Sequence, residues 1–274
     1  MKLTVREMEK YSCTDFIYKH HYSKVMPMLT KHYLGIFNED TLVGTITLGW
    51  GTQPLGTINK LFPAMGFNTS HYYEIGKMCI KPQFNDSREN GNWGSRVTSS
   101  VVSWMKENTD RVFLYTLADG IVGKVGYVYQ ASNFFYGGFF WTDVYRTNEG
   151  EKIHPRTARQ LLMENYEWLI RNKKPVTQKQ EKQGRVFWLT PDFLKEKGIN
   201  RIRGKMFRYM YPLNKKARRI LEDGWGQNYP KDKDLEWKIQ VEKGQWDYIE
   251  KPDFALNVVN INQKNVERNC GIAA

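Results

Sequence analysis

The chain has 274 residues, of which 41% are hydrophobic and 26% charged, and a net charge of +12. That composition suits a globular protein with one substantial core and room for a smaller module or insertion. No apolar run approaches the length of a membrane span, and the first ten residues lack the apolar stretch of a secretion signal. Cys13, Cys79 and Cys270 are odd in number and far apart. They argue against a disulfide framework or a zinc site, and for a reducing, cytoplasmic setting.

The charge is uneven. Residues 1–150 hold 15 Lys+Arg against 13 Asp+Glu, whereas 151–274 hold 26 against 16. Within 152–219 the count is 19 to 5. Basic residues broken up by Trp168, Phe187, Trp188, Phe193, Phe207 and Tyr209 read as a folded surface for a polyanion, nucleic acid before membrane. A solvated basic face with no partner is the alternative.

Weak helical spacing runs from Tyr11 to His20 and leads into His20-His21-Tyr22-Ser23. Lys31–Phe37 and Thr41–Gly49 flank Asn38-Glu-Asp40 and predict an antiparallel hairpin. Residues 50–70, rich in Gly, Pro and Asn, read as a loop. Tyr72–Ile80 is the next strand, carrying Glu74 and Lys77 as a buried pair or as donor contacts. The helix from Ser95 to Glu107 takes Ser95 as its N-cap and puts Val97, Val101, Val102, Trp104 and Met105 on one face.

Arg111–Leu117 is then an apolar strand ending at Asp119. Gly120, Gly123 and Gly126 follow, then Tyr127, Tyr129 and Asn133, then the aromatic block Phe134–Trp141. A carboxylate at a strand end beside permissive backbone is where open α/β sheets place chemistry, although an Asp-Gly turn closing a strand reads the same way. Further on, Ala158–Arg171 is an amphipathic helix, Thr190-Pro191 opens a short one, Lys205–Tyr211 is a strand, and Lys215–Leu221 is a helix. Residues 225–274 signal little regular structure, and the tail after Val258 reads as poorly ordered.

The element order resembles the GNAT acyltransferase fold, and particular residues resemble the phage Mom DNA-modification family. These are His21-Tyr22-Ser23; Tyr73–Ile80; Asn92-Trp-Gly-Ser-Arg96; Ala118-Asp119 with Gly126–Asn133; and Arg208–Asn214. The resemblance implies an α/β (α+β) fold with a GNAT-like, mixed and mostly antiparallel sheet flanked by helices. Residues 1–150 would form the catalytic core, 151–202 a basic helical insertion, 203–224 the closing strand and helix, and 225–274 a partly ordered extension. It also implies transfer of a carbamoylmethyl (acetamido-type) group to the exocyclic amine of adenine in phage DNA, shielding it from restriction in the host cytoplasm.

On that resemblance His21, Tyr22, Asp119 and Tyr129 are the catalytic set, and His21, Asp119 and Tyr129 an N,O,O set for iron. The metal-free alternative makes His21 or Asp119 the general base. Arg88, Gly91, Gly94, Ser95 and Arg96 would hold acetyl-CoA or a related donor, though Gly91 and Gly94 depart from the usual GNAT spacing. Tyr127 and Asn133 would line the pocket for a flipped base. Arg201, Arg203, Lys205, Arg208, Lys215, Lys216, Arg218 and Arg219 would meet the phosphates of double-stranded DNA. Two other readings stay open: a GNAT acyltransferase acting on a protein, tRNA or small amine, and a DNA-binding protein of this fold without chemistry.

Overall fold

The computed structural model describes residues 3–63, 65–85, 92–155 and 158–255. In chain order the strands are β1 (Thr4–Glu7), β2 (Thr30–Asn38), β3 (Thr41–Gly49), β4 (Tyr72–Ile80), β5 (Phe113–Asp119), β6 (Phe135–Thr147), β7 (Lys152–Ile153), β8 (Ile199–Pro212), β9 (Trp237–Glu242) and β10 (Gln245–Ile249). The helices are α1 (Lys10–His20), α2 (Pro54–Leu61), α3 (Pro82–Asn85), α4 (Trp93–Asn108), α5 (Tyr127–Gln130), α6 (Arg159–Arg171), α7 (Gln178–Gln183), α8 (Pro191–Glu196) and α9 (Lys215–Glu222). None of the described helices is long and apolar enough to cross a membrane. The chain divides into two compact units. One comprises 1–119, 124–140 and 206–234, the other 120–123, 141–205 and 235–274.

In the first unit the sheet order is β1-β2-β3-β4-β5-β8. All of these neighbours are antiparallel except β4 and β5. The predicted β2–β3 hairpin closes between the paired residues Asn38 and Thr41, with Glu39 left-handed (φ 55°) in the turn. From Val43 to Gly49 strand β3 is buried on both faces, as befits an interior strand. Helix α1 buries Cys13, Phe16 and Ile17, the i, i+3, i+4 stripe, against Cys79 of β4.

Helix α2 stands in the stretch that reads as a loop. Pro54 takes its first turn, where a missing N–H costs nothing, and Ile58 and Leu61 pack with Phe62 against Tyr72, Phe113, Leu221 and Trp225. Helix α4 begins three residues earlier than its pattern suggests. Its N-cap is Asn92, left-handed at φ 50°, and Ser95 lies within the first turn. Val97, Val101, Val102 and Met105 are buried as expected.

The second unit has short β pairings and a helical cluster. Strands β9 and β10 form an antiparallel hairpin over residues that show little periodicity, and β9 pairs with Ile202–Gly204 of β8. Strand β7 pairs with Tyr145 and Arg146 of β6. Trp168 and Leu169 of α6, Phe193 and Leu194 of α8, and Val186, Leu189 and Ile199 close a core of their own. The basic region is therefore a packed body. The tail after Val258 lies outside the described residues.

Candidate active site

Strands β4 and β5 pair in parallel only from Tyr72 to Glu74 against Phe113 to Tyr115. Beyond that point they part. The register of β4 against β3 shifts between Thr47 and Leu48, so Gly76 is the extra residue of a bulge. A Cβ on Gly76 would come within 2.5 Å of Pro27, so only glycine fits the close approach. Peptide groups that lack a strand partner in such a gap are the ones a ligand can use.

Asp119 is the last residue of β5 and pairs with Met206 of β8. The chain turns back at Lys124, whose backbone N–H donates to the Asp119 carbonyl at 3.1 Å. Gly126 then adopts φ 92°. A Cβ there would lie 2.6 Å from the Tyr209 ring and 3.0 Å from Ala118, so this glycine meets both a backbone and a packing demand. Tyr129, on the one-turn helix α5, is buried with its ring 5.4 Å from that of Phe134 and 5.5 Å from that of Tyr209. Tyr209 is held in turn by Gln130, whose Nε2 donates to its hydroxyl at 3.0 Å and to the Pro230 carbonyl at 2.9 Å.

His21 is the C-cap of α1, its N–H donating to the Ile17 carbonyl. Its ring stacks on Tyr22 with centroids 4.4 Å apart. Nδ1 is committed to Ser23, whose N–H donates to it at 2.9 Å and whose carbonyl lies 3.0 Å away. Nε2 is thus the ring nitrogen left for other work. Lys77 of β4 donates to the Ser23 carbonyl at 3.2 Å and its hydroxyl at 3.0 Å, fixing this turn to the sheet. Glu74 of the same strand lies against Gly51, where a Cβ would stand 2.3 Å from its carboxylate.

Electrostatics join these groups. Burial, then Lys77, pushes the His21 pKa down to about 3, with Lys124 and Lys24 adding to the effect and the Ser23 carbonyl opposing it. The ring is neutral at pH 7. Tyr22 is 41% exposed as a residue, yet its hydroxyl end is enclosed. That burial raises its pKa, and Asp119 and Tyr129 raise it further. The Tyr129 phenol is raised by burial as well. Lys124 Nζ lies 4.1 Å from the centroid of the Tyr22 ring. Its pKa is lowered by burial, while Asp119 and Cys79 draw it back up. The Cys79 thiol is raised to about 11, chiefly by burial, and so is not a nucleophile at neutral pH. His21, Tyr22, Asp119 and Tyr129 belong to one cluster, to which the structure adds Lys77 and Lys124. Lys124 falls in no motif; its position between Asp119 and Gly126 was the available signal.

Among the described residues nothing supports the iron set of His21, Asp119 and Tyr129. Among the described residues, no group of three or more His, Cys, Asp and Glu side chains is placed to hold a metal ion. Three ammonium groups act on His21, and both phenols are made harder to ionise. Such surroundings oppose an added cation.

Arg88 and Gly91 lie outside the described residues. Gly94, Ser95 and Arg96 form the first turn of α4, whose N–H groups and positive helix end suit an anion. Gly94 has a packing reason too, because a Cβ would meet Val128 at 2.5 Å. Arg96 stacks over Trp93 at 4.3 Å. Tyr127 is half-exposed beside Lys231 and Asp232, and Asn133 is exposed in a left-handed turn at φ 59°. Neither is enclosed as a base pocket requires.

The basic residues separate into two groups. Arg201 and Arg203 both bind Asp143, Nε to carboxylate at 3.0 and 2.6 Å, and Lys205, buried, pairs with Glu236 at 2.6 Å. Their charges are met by acids within the second unit. Arg208 is mostly buried, its Nε enclosed without a hydrogen-bond partner. Lys215, Lys216, Arg218 and Arg219 are exposed on α9, opposite the buried Ala217 and Leu221.

A mixed, mostly antiparallel sheet that parts at a polar cluster defines the class of fold. Residues 2–231 match the Mom protein family, and the chain belongs to that family. Among curated proteins the chain has no match. Solved structures similar to it include an aminoglycoside acetyltransferase, AAC(6')-Ib, in complex with ribostamycin and coenzyme A. The identity is 9%, the TM-score 0.37, and the alignment covers 51% of this chain and 87% of that one. An N-acetyltransferase from Staphylococcus aureus Mu50 aligns at 10% identity and TM-score 0.35, over 78% and 99% of the two chains. A GNAT family acetyltransferase from Elizabethkingia anophelis with acetyl-CoA bound aligns at 13% and 0.34, over 77% and 98%.

Proposed function

We propose that the protein is a transferase that places a carbamoylmethyl (acetamido-type) group on the exocyclic amine of adenine in phage DNA, protecting that DNA from restriction. The observation that carries the reading is the cluster of His21, Tyr22, Asp119 and Tyr129 beside the gap between β4 and β5, in a chain of the Mom family. Asp119 is the general base. It accepts the amine proton as the amine nitrogen bonds to the donor carbon and the donor's leaving group departs. His21 is poorly suited to that step, because a ring that resists protonation down to about pH 3 is a weak base. Its Nε2 and the two phenols orient the base and donor. No step of this reading passes through iron.

The donor is a CoA-derived molecule whose leaving group sits on the methylene carbon of the carbamoylmethyl unit, because an acyl thioester would give an N-acyl product instead. Its phosphates are held by the first turn of α4 with Gly94, Ser95 and Arg96. The exposed cations of α9 take DNA phosphates. An amine engaged in base pairing is not accessible, so the adenine must leave the stack. Nucleoside mass spectrometry on DNA from expressing cells tests the reading. An adenine adduct is expected with the wild type and not with Asp119→Asn. An unmodified profile from well-expressed wild-type protein would refute it.

A further inference from the structure

Two of the largest apolar side chains of the second unit point away from its core. Trp188 is 61% exposed and Phe187 43%. An exposed aromatic pair of this size is unusual on a monomer and contributes nothing to its core. The backbone that carries it is firmly held. Val186 and Leu189, on either side, are 2% and 1% exposed and sit in the core formed with Trp168 and Phe193. Asn165 of α6, fully buried, donates to the Trp188 carbonyl at 3.1 Å and accepts from the Thr190 hydroxyl at 2.9 Å. The Val186 N–H donates to the Leu162 carbonyl. The pair is thus presented on a rigid mount.

The surroundings indicate what meets it. Residues 171–188 carry six Lys and Arg against one Glu. Arg171, Lys173, Lys174, Lys179 and Lys182 are exposed, and Lys179 Nζ lies 5.1 Å from the centroid of the Phe187 ring. A second copy of so cationic a surface would be repelled, whereas a polyanion with flat apolar faces would be attracted on both counts. We propose that Phe187 and Trp188 form an aromatic wedge that stacks on DNA bases at a step opened in the bound duplex. The inference rests on the reading that DNA is the substrate. Insertion of apolar side chains at an unstacked step is a known means of offsetting the loss of base stacking.

The test uses the full chain and a duplex with 2-aminopurine at an internal step, whose fluorescence rises on unstacking. The wild type should bind and raise the signal. Phe187→Ala/Trp188→Ala should bind about tenfold or more weakly and lose most of the rise, and Trp188→Phe should keep most of both. The salt dependence of affinity should be unchanged in all three, because no phosphate contact is removed. An unaltered thermal midpoint would show that the variants fold. Equal affinity and equal 2-aminopurine signal in wild type and double variant would overturn the wedge while leaving adenine modification standing. Loss of self-association in the double variant, with DNA binding intact, would overturn it equally. A wild-type protein that fails to bind the duplex would remove both proposals together.

Discussion

The ammonium of Lys124 sits 4.1 Å from the centroid of the Tyr22 ring, and Tyr22 stacks in turn on His21. A cation is thereby built into the cluster, next to the carboxyl that ends β5. Lys77 and Lys124 both hold the His21 pKa down, with Lys77 the stronger influence. Lys77→Met should therefore raise the His21 titration midpoint, followed by NMR, by more than Lys124→Met does. Equal midpoints in wild type and both variants would show that burial acts alone.

The same histidine sets a pH dependence. Its folded value of about 3 lies below the ordinary 6.5, so the unfolded chain takes up a proton that the folded chain refuses. The contribution is whole above about pH 6.5 and is lost as pH falls from there toward 3. Thermal unfolding of wild type and His21→Gln should show it. The wild-type midpoint should fall more steeply than that of the variant between pH 7 and pH 4.

In the proposed function, DNA phosphates meet the exposed face of α9. Neutralising Lys215, Lys216 or Arg219 should weaken binding to any DNA sequence. Each change should lower the slope of log affinity against log salt by about 1. Anisotropy titrations across a salt series measure this directly.

Arg201 and Arg203 should behave differently, because Asp143 occupies both guanidiniums. Burial alone would raise the Asp143 carboxyl, but the two arginines hold it below its ordinary value. Asp143→Ala should destabilise the second unit by roughly 1–3 kcal/mol in denaturant titrations, the cost of orphaning partly buried polar groups. Arg201→Ala should reduce stability without changing the salt slope.

These contrasts show how far the sequence could be read. The β2–β3 hairpin, the strand ending at Asp119 and the buried face of α4 follow from short-range alternation and helical spacing, which local residues determine. Arg201, Arg203 and Lys205 alternate as a phosphate-facing surface would, but their acids, Asp143 and Glu236, lie some thirty to sixty positions away. Spacing cannot show such partners. Helix α2 was hidden by Pro54 and Gly56, residues that break a helix interior but are tolerated in a first turn. The β9–β10 hairpin was hidden because its polar residues are mostly exposed on both faces. His21 and Tyr22 were legible only by resemblance, and Lys124 only by its place between Asp119 and Gly126, because the cluster depends on a turn folding back on the sheet.

Asp119 as general base is the central claim, and Asp119→Asn is its most direct test. The substitution keeps the shape of the side chain and removes its capacity to accept a proton. Nucleosides from DNA of cells expressing equal amounts of wild type and variant should be compared by mass spectrometry. The account predicts an adenine adduct in the wild type, reduced at least ~10²-fold in the variant, with DNA affinity unchanged. An equal adduct level in the two would contradict it.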